Sequence, residues 1–268
     1  MAKLVAWRRG QCRKLAAKAP LIAPATVNRS TTQVLQRIFT RGRKVWRIPL
    51  PKEPHWRQHM LREPEERIRE LRQDEDQALT AVMDPDYEVL RAFSIASGLR
   101  MRESLLRWSQ VDFAAGVVIT VGKGGKTIRM PMTTTMRRML MSRKDHHAEF
   151  VFTYRVKRTR ADRCRGERRP ITIQGLKAHW RRCRKKAGVA DYRWHDNRHT
   201  FATSLLRATG NLKLVHNALH HARIETTTKY AHVLDDELRA GMEKADRRRQ
   251  PGTRRRMPKW RATSSNAS

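Results

Sequence analysis

Apolar residues follow a helical rhythm over several stretches of the chain and a strand rhythm over one. Between residues 31 and 43, Val34, Leu35, Ile38 and Phe39 recur at i, i+1, i+4 and i+5, which puts them on one helix face. Pro49, Pro51 and Pro54 then break the chain into an extended linker. The pattern predicts helices around residues 74–83 and 85–97, the second closed by Gly98, and a short helix over 102–107. The β-branched run Val117-Val118-Ile119-Thr120-Val121, the turn Gly122-Lys123-Gly124-Gly125-Lys126 and residues 127–132 read as a β-hairpin. Phe150-Val151-Phe152 reads as one more strand and residues 155–169 as a basic loop. A basic helix over 172–187 stops at Gly188, and three more helices follow, ending at Gly210, spanning 211–220 and spanning 234–247. In the last, Leu234, Leu238, Met242 and Ala245 share a face. The helices meeting at Thr209-Gly210-Asn211 would suit a DNA-binding helix-turn-helix over 200–230.

Composition narrows the class. The 268 residues, 39% of them hydrophobic, can build the core of one sizeable domain with an appendage, which excludes global disorder. Lys and Arg number 59 against 25 Asp and Glu, a formal charge of +34. No acid precedes Glu53, whereas thirteen Lys or Arg do, so residues 1–52 form a basic arm. Ten of the acids then fall within residues 63–88. Such a charge calls for an anionic partner. Nucleic acid leads, because neutralising phosphates releases counterions. A membrane surface fits less well, since the bases run along the whole chain instead of one amphipathic helix. No stretch approaches the roughly 18 apolar residues of a membrane span. The start of the chain also lacks the apolar core of a secretory signal. Cys12, Cys164 and Cys183 form no C-x-x-C pair, which argues against a disulfide framework or structural zinc and for a reducing compartment. The expected location is cytoplasmic, at the nucleoid.

Three local features bear on chemistry. Gly125-Lys126-Thr127 ends like a nucleotide-binding phosphate loop, but Thr120 stands where that loop needs glycine, and the chain enters a strand. What remains is a plain hairpin turn, or a turn presenting Lys123 or Lys126 to a phosphate. His195 and His199 have the spacing of zinc ligands, yet Asp196 replaces the expected Glu and Arg198 sits between the imidazoles, so no metal site is expected. His195-x-x-Arg198 instead places an acid/base group beside a planar guanidinium fork, a pairing that suits a phosphodiester. Of the four tyrosines, Tyr230 alone is flanked on both sides by histidine, His221 and His232. A tyrosine nucleophile, with a pKa of about 10, needs a base or electrostatic help.

The order of these pieces is more specific than any one of them. Ser97-Gly98-Leu99-Arg100, Glu103, Trp108 and the Gly122–Lys126 turn resemble the first half of the phage-integrase family of tyrosine recombinases. His195-Asp196-Asn197-Arg198-His199-Thr200-Phe201-Ala202-Thr203, Leu219-His220-His221, Thr226-Thr227 and Tyr230-Ala231-His232-Val233 resemble the second. The resemblance covers roughly residues 61–248. It implies a mainly α, multihelical catalytic domain with a small antiparallel β-sheet. It also implies a DNA recombinase or integrase that works through a 3′-phosphotyrosyl intermediate without ATP, metal or other cofactor. Arg100 and Arg198 would grip the scissile phosphate and Tyr230 would attack it. Lys123 would protonate the leaving 5′-oxygen, His195 would assist proton transfer at the tyrosine, and His221 would hydrogen-bond the phosphate. The implied partners are double-stranded DNA and a homotetramer assembled on it through the C-terminal helix.

This chain departs from the family's pattern in three places. His220 replaces the usual glycine of Leu-Gly-His, the Glu103-to-Trp108 interval is one residue short, and the N-terminal half is brief. The expected layout is a flexible basic leader over 1–25, a remnant of a helical core-binding domain with a Pro-rich linker over 26–60, the catalytic domain over 61–248 and a basic, Ser-rich disordered tail over 249–268. A clamp so shortened implies weakened site-specific recombination. The rival expectation is a non-catalytic DNA-binding protein that keeps the fold; an RNA-binding role would rest on charge alone.

Overall fold

The computed structural model describes residues 1–12, 20–50, 52–64, 66–160, 162–231 and 235–249. It divides into two compact units, Met1–Arg67 and a second beginning at Ile68.

In the first unit, α1 (Ala2–Gly10) lies within the segment expected to be a basic leader. Its Val5 is buried with Ile22 and Val27 in a small apolar cluster. Pro24 opens α2 (Pro24–Val27), a π-helical turn over Asn28–Thr32 follows, and α3 (Gln33–Lys44) continues it. Asn28 is buried and fully used. Its Oδ1 accepts from the Leu61 amide at 2.8 Å, and its Nδ2 donates to the Leu61 carbonyl at 2.9 Å and to Glu63 at 2.8 Å.

The second unit is built around α4 (Gln73–Val82) and α5 (Pro85–Ser97). Asp84 caps α5, Pro85 occupies its first turn and Gly98 ends it at φ +62°. The helix expected over 102–107 is replaced by turns, followed by a 3-10 turn at Trp108–Gln110. Strands β1 (Val111–Asp112), β2 (Val117–Val121) and β3 (Thr127–Pro131) form an antiparallel sheet in that order, with Val118 opposite Met130 and Val121 opposite Thr127. Their inward residues Val118, Ile128 and Met130 join Leu90, Phe93, Leu99 and Leu106 in the main core.

Beyond the sheet lie α6 (Thr134–Met141), the hairpin of β4 (Thr153–Arg155) with β5 (Arg168–Pro170), and α7 (Ile173–Lys186). The expected strand at 150–152 thus begins only at Thr153, and part of the expected basic loop pairs with it. Buried Asp86 draws this region onto α5, accepting from Arg143 at 3.0 Å, Arg168 at 2.9 Å and the Arg155 amide at 3.2 Å.

The C-terminal helices are α8 (Asp196–Thr209), α9 (Leu212–Ala218), α10 (Glu225–Thr228) and α11 (Asp235–Arg249). Gly210 closes α8 at φ +61°, and the Asn211 side chain caps α9 by accepting from the Leu214 amide. Ala202, Leu206, Val215 and Leu219 form a second apolar cluster, which takes in Tyr230. On α11, Leu238 and Met242 are exposed. His232, Leu234 and the tail after Arg249 lie outside the described residues. Among the described residues no helix is long and apolar enough to cross a membrane.

Candidate active site

Arg198, near the start of α8, is the centre of the site. It is buried, and its guanidinium is fixed from two sides: Nη1 donates to the Gly98 carbonyl at 2.7 Å and Nη2 to the Leu219 carbonyl. The end of α5 and the end of α9 therefore meet at one side chain. An arginine has five N–H donors, so three remain for a ligand. Burial, and then the neighbouring charge of Arg100, pulls the Arg198 pKa down to about 10.

The close approach at Gly98 is a steric requirement. A Cβ there would stand 2.2 Å from the Phe201 ring, and its φ of +62° disfavours any L side chain. Arg100 follows immediately. Its backbone amide and its Nη1 both donate to Glu103, at 2.8 and 3.0 Å. Glu103 is buried, whereas about a third of the Arg100 side chain reaches solvent. Arg100 and Glu103 line a cleft of about 540 Å³ together with Gly122 and His195. A Cβ on Gly122 would lie 2.7 Å from Ile128 and 3.4 Å from a Glu103 oxygen, so glycine lets the sheet press against this pair.

The backbone of Lys123 opens the tight turn Lys123–Gly125 between β2 and β3, beside that cleft; its side chain lies outside the described residues. Lys126 is exposed on the same turn.

The histidines complete the arrangement. His195 sits at the N-terminal boundary of α8, open to solvent on one side. Enclosure of its ring, then the charges of Arg198, Lys229 and Arg100, hold its pKa below the ordinary value. Its ring meets that of His199 edge-on at 5.3 Å between centroids. His199 Nδ1 in turn lies 2.8 Å from the Tyr230 hydroxyl, both residues being buried. His221 Nδ1 is 2.8 Å from Thr227 Oγ1, which is also 3.2 Å from His216 Nδ1. Burial first, then Arg198, Lys229 and Arg100, push the His221 pKa down to about 3, so the ring is neutral at physiological pH.

Arg100, His195, Arg198, His221 and Tyr230 thus share one site, as does the backbone of the Lys123 turn. His199 is noticeable in the sequence only by its four-residue spacing from His195 and its place after Arg198; its tie to Tyr230 is not, because that partner lies 31 residues away.

Residues 69–237, well over half of the chain, match the profile of the phage integrase family. The chain belongs to the phage integrase family. The integrase of Salmonella phage P22 is 28% identical over 153 residues, which cover 54% of this chain and 39% of that protein. Tyrosine recombinase XerC of Staphylococcus aureus (strain NCTC 8325 / PS 47) is 30% identical over 153 residues, 54% of this chain and 48% of XerC. The matched stretch spans less than half the length of these relatives.

The integrase of transposon Tn1549, solved in complex with circular intermediate DNA, superposes with a TM-score of 0.60 at 21% identity, over 82% of this chain and 79% of that one. XerA recombinase does so with a TM-score of 0.50 at 23% identity, over 86% of this chain and 85% of that one. At these identities the likeness is one of fold. It is the mainly helical fold with a small antiparallel sheet expected from the sequence. Every residue of the proposed constellation lies inside the segment that matches the phage integrase family.

Proposed function

We propose that this protein cuts and rejoins double-stranded DNA as a site-specific recombinase of a mobile element. The observation that carries this reading is the convergence on Arg198 of the α5 end, the α9 end and, one residue along α8, the His199–Tyr230 pair. Arg198 and Arg100 hold the non-bridging oxygens of the scissile phosphate and neutralise the charge that builds in the pentavalent transition state. The Tyr230 oxygen attacks phosphorus in line as the P–O5′ bond breaks, leaving a 3′-phosphotyrosyl link and a 5′-hydroxyl. The tyrosine proton passes to the His195–His199 imidazole pair, and Lys123 delivers a proton to the departing 5′-oxygen. His221 is kept neutral, so it can donate from Nε2 to the phosphate while Nδ1 accepts from Thr227. The link conserves the phosphoester bond energy, so attack by a partner strand's 5′-hydroxyl reseals DNA without ATP. The arginines take the charge-neutralising part that a metal plays elsewhere.

The net charge of +34 supports sequence-independent DNA affinity and, with it, a position at the nucleoid. Residues 26–60 serve as a short core-binding segment and 61–248 as the catalytic domain. The exposed Leu238 and Met242 of α11 dock on a second copy, building a homotetramer on DNA. The deciding experiment is covalent trapping on nicked or supercoiled DNA in chelator, with Tyr230→Phe alongside. A detergent-resistant adduct that needs Tyr230 supports recombinase chemistry. Tight binding without an adduct favours the rival, a DNA-binding protein that retains only the fold.

A further inference from the structure

His220 occupies the position where the family's Leu-Gly-His pattern has glycine, and the structure shows why glycine suits it. The residue follows α9 at φ +50°, in the left-handed region that a side chain enters only at a cost. The turn keeps its shape, with the His220 amide donating to the Asn217 carbonyl at 3.0 Å. The imidazole therefore brings strain without mending the turn.

Its other end is equally unusual. Nε2 of His220 is buried and has no hydrogen-bond partner among the described residues. A buried polar nitrogen left unmatched opposes folding unless something else satisfies it. The carbonyl of its chain neighbour Leu219 holds Arg198, and the charges that act on the His220 ring are those of the proposed phosphate site. Burial, then the charges of Arg198 and Lys126, hold the ring below its ordinary pKa, with Glu103 opposing and Arg100 adding to the effect. A neutral imidazole here keeps one N–H and adds no charge to an already cationic cluster.

We propose that His220 is an additional substrate-binding group of this site, donating a hydrogen bond from Nε2 to a non-bridging oxygen of the phosphate held by Arg100 and Arg198. The proposal rests on the recombinase reading for the identity of that phosphate. The anion provides the missing acceptor, so the bond forms only when DNA is seated. Glycine at this position would remove strain and donor together.

The test compares wild type, His220→Gly, His220→Asn and Tyr230→Phe on supercoiled plasmid. Single-turnover adduct formation and equilibrium DNA binding are measured separately. His220→Gly should melt no lower than wild type and bind plasmid within about threefold, yet form adduct about 10- to 100-fold more slowly, as expected when one transition-state donor is lost. His220→Asn, which tolerates positive φ and retains an N–H donor, should recover part of the rate. Equal or faster adduct formation by His220→Gly overturns the proposal. Absence of any adduct from wild type instead strikes at Tyr230 as nucleophile. In that case titration of ¹⁵N-imidazole-labelled protein with inorganic phosphate decides on His220. A phosphate-dependent shift of the His220 Nε2 resonance supports the site, and an unmoved resonance overturns it.

Discussion

The Tyr230 hydroxyl lies 2.8 Å from Nδ1 of His199; both side chains are buried, Tyr230 in the apolar cluster it forms with residues of α8 and α9. A phenol of ordinary pKa is a weak nucleophile near neutral pH, so an imidazole in hydrogen-bond contact is the group best placed to take its proton as attack proceeds. Replacing His199 with Leu keeps the volume roughly and removes that partner. Adduct formation should fall at least about tenfold while DNA affinity holds. Stability should drop by about 1–3 kcal/mol because the buried hydroxyl loses a hydrogen bond. Adduct kinetics and thermal unfolding check the two halves separately.

Arg198 is as much a structural clamp as a phosphate ligand. Arg198→Lys cannot reach the Gly98 and Leu219 carbonyls together, so one buried acceptor is left unmatched. The expected loss is about 1–3 kcal/mol, with adduct formation abolished on a minutes timescale. Gly98→Ala should be comparably damaging with the guanidinium intact, because its Cβ would overlap the Phe201 ring. Urea unfolding of both variants measures this.

Glu103 holds Arg100 through both the amide and the guanidinium. Glu103→Gln should preserve the fold but loosen Arg100. A roughly 10- to 100-fold slower cleavage rate is expected, with less effect on binding. Single-turnover rates against DNA titrations separate the two.

The pH dependence follows from the histidines. His221, with its pKa pushed down to about 3, binds a proton more readily unfolded than folded. His195, His179 and His220 are shifted the same way. Between the unfolded value near 6.5 and the folded one, the unfolded chain carries more protons, so stability rises with pH there and levels off above about pH 7. The melting temperature should therefore fall from pH 6.5 to about 5.5, a window above the midpoints of carboxylate titration. His221→Asn should make that fall shallower, as pH-resolved melting curves would show.

Much of this fold could be read locally. Pro85 in the first turn and Gly98 at the end bounded α5 almost to the residue, and the β-branched run with its Gly turn placed β2 and β3. What escaped depends on partners remote in sequence. The β4–β5 hairpin lies in an Arg-rich stretch with no alternation, and its Arg168 is drawn to Asp86, 82 residues away. The turns at 101–105 displaced an expected helix where Glu103 folds back on the Arg100 amide. Helix α6 had a legible start, since Thr133 caps it, and Met136 and Leu140 are buried four residues apart. The site residues were legible as an ordered motif. The carbonyl anchors of Arg198 and the tie between His199 and Tyr230 were not, because each joins segments about 20 to 100 residues apart.

The most direct test of the account is whether a covalent protein–DNA adduct forms in chelator and disappears in Tyr230→Phe. The phosphotyrosyl mechanism predicts an adduct on nicked or supercoiled DNA whose protein moiety is linked through Tyr230 to a 3′-phosphate, and none from the phenylalanine variant at equal DNA occupancy. An adduct that survives Tyr230→Phe, or DNA fully bound with no adduct in wild type, would contradict it.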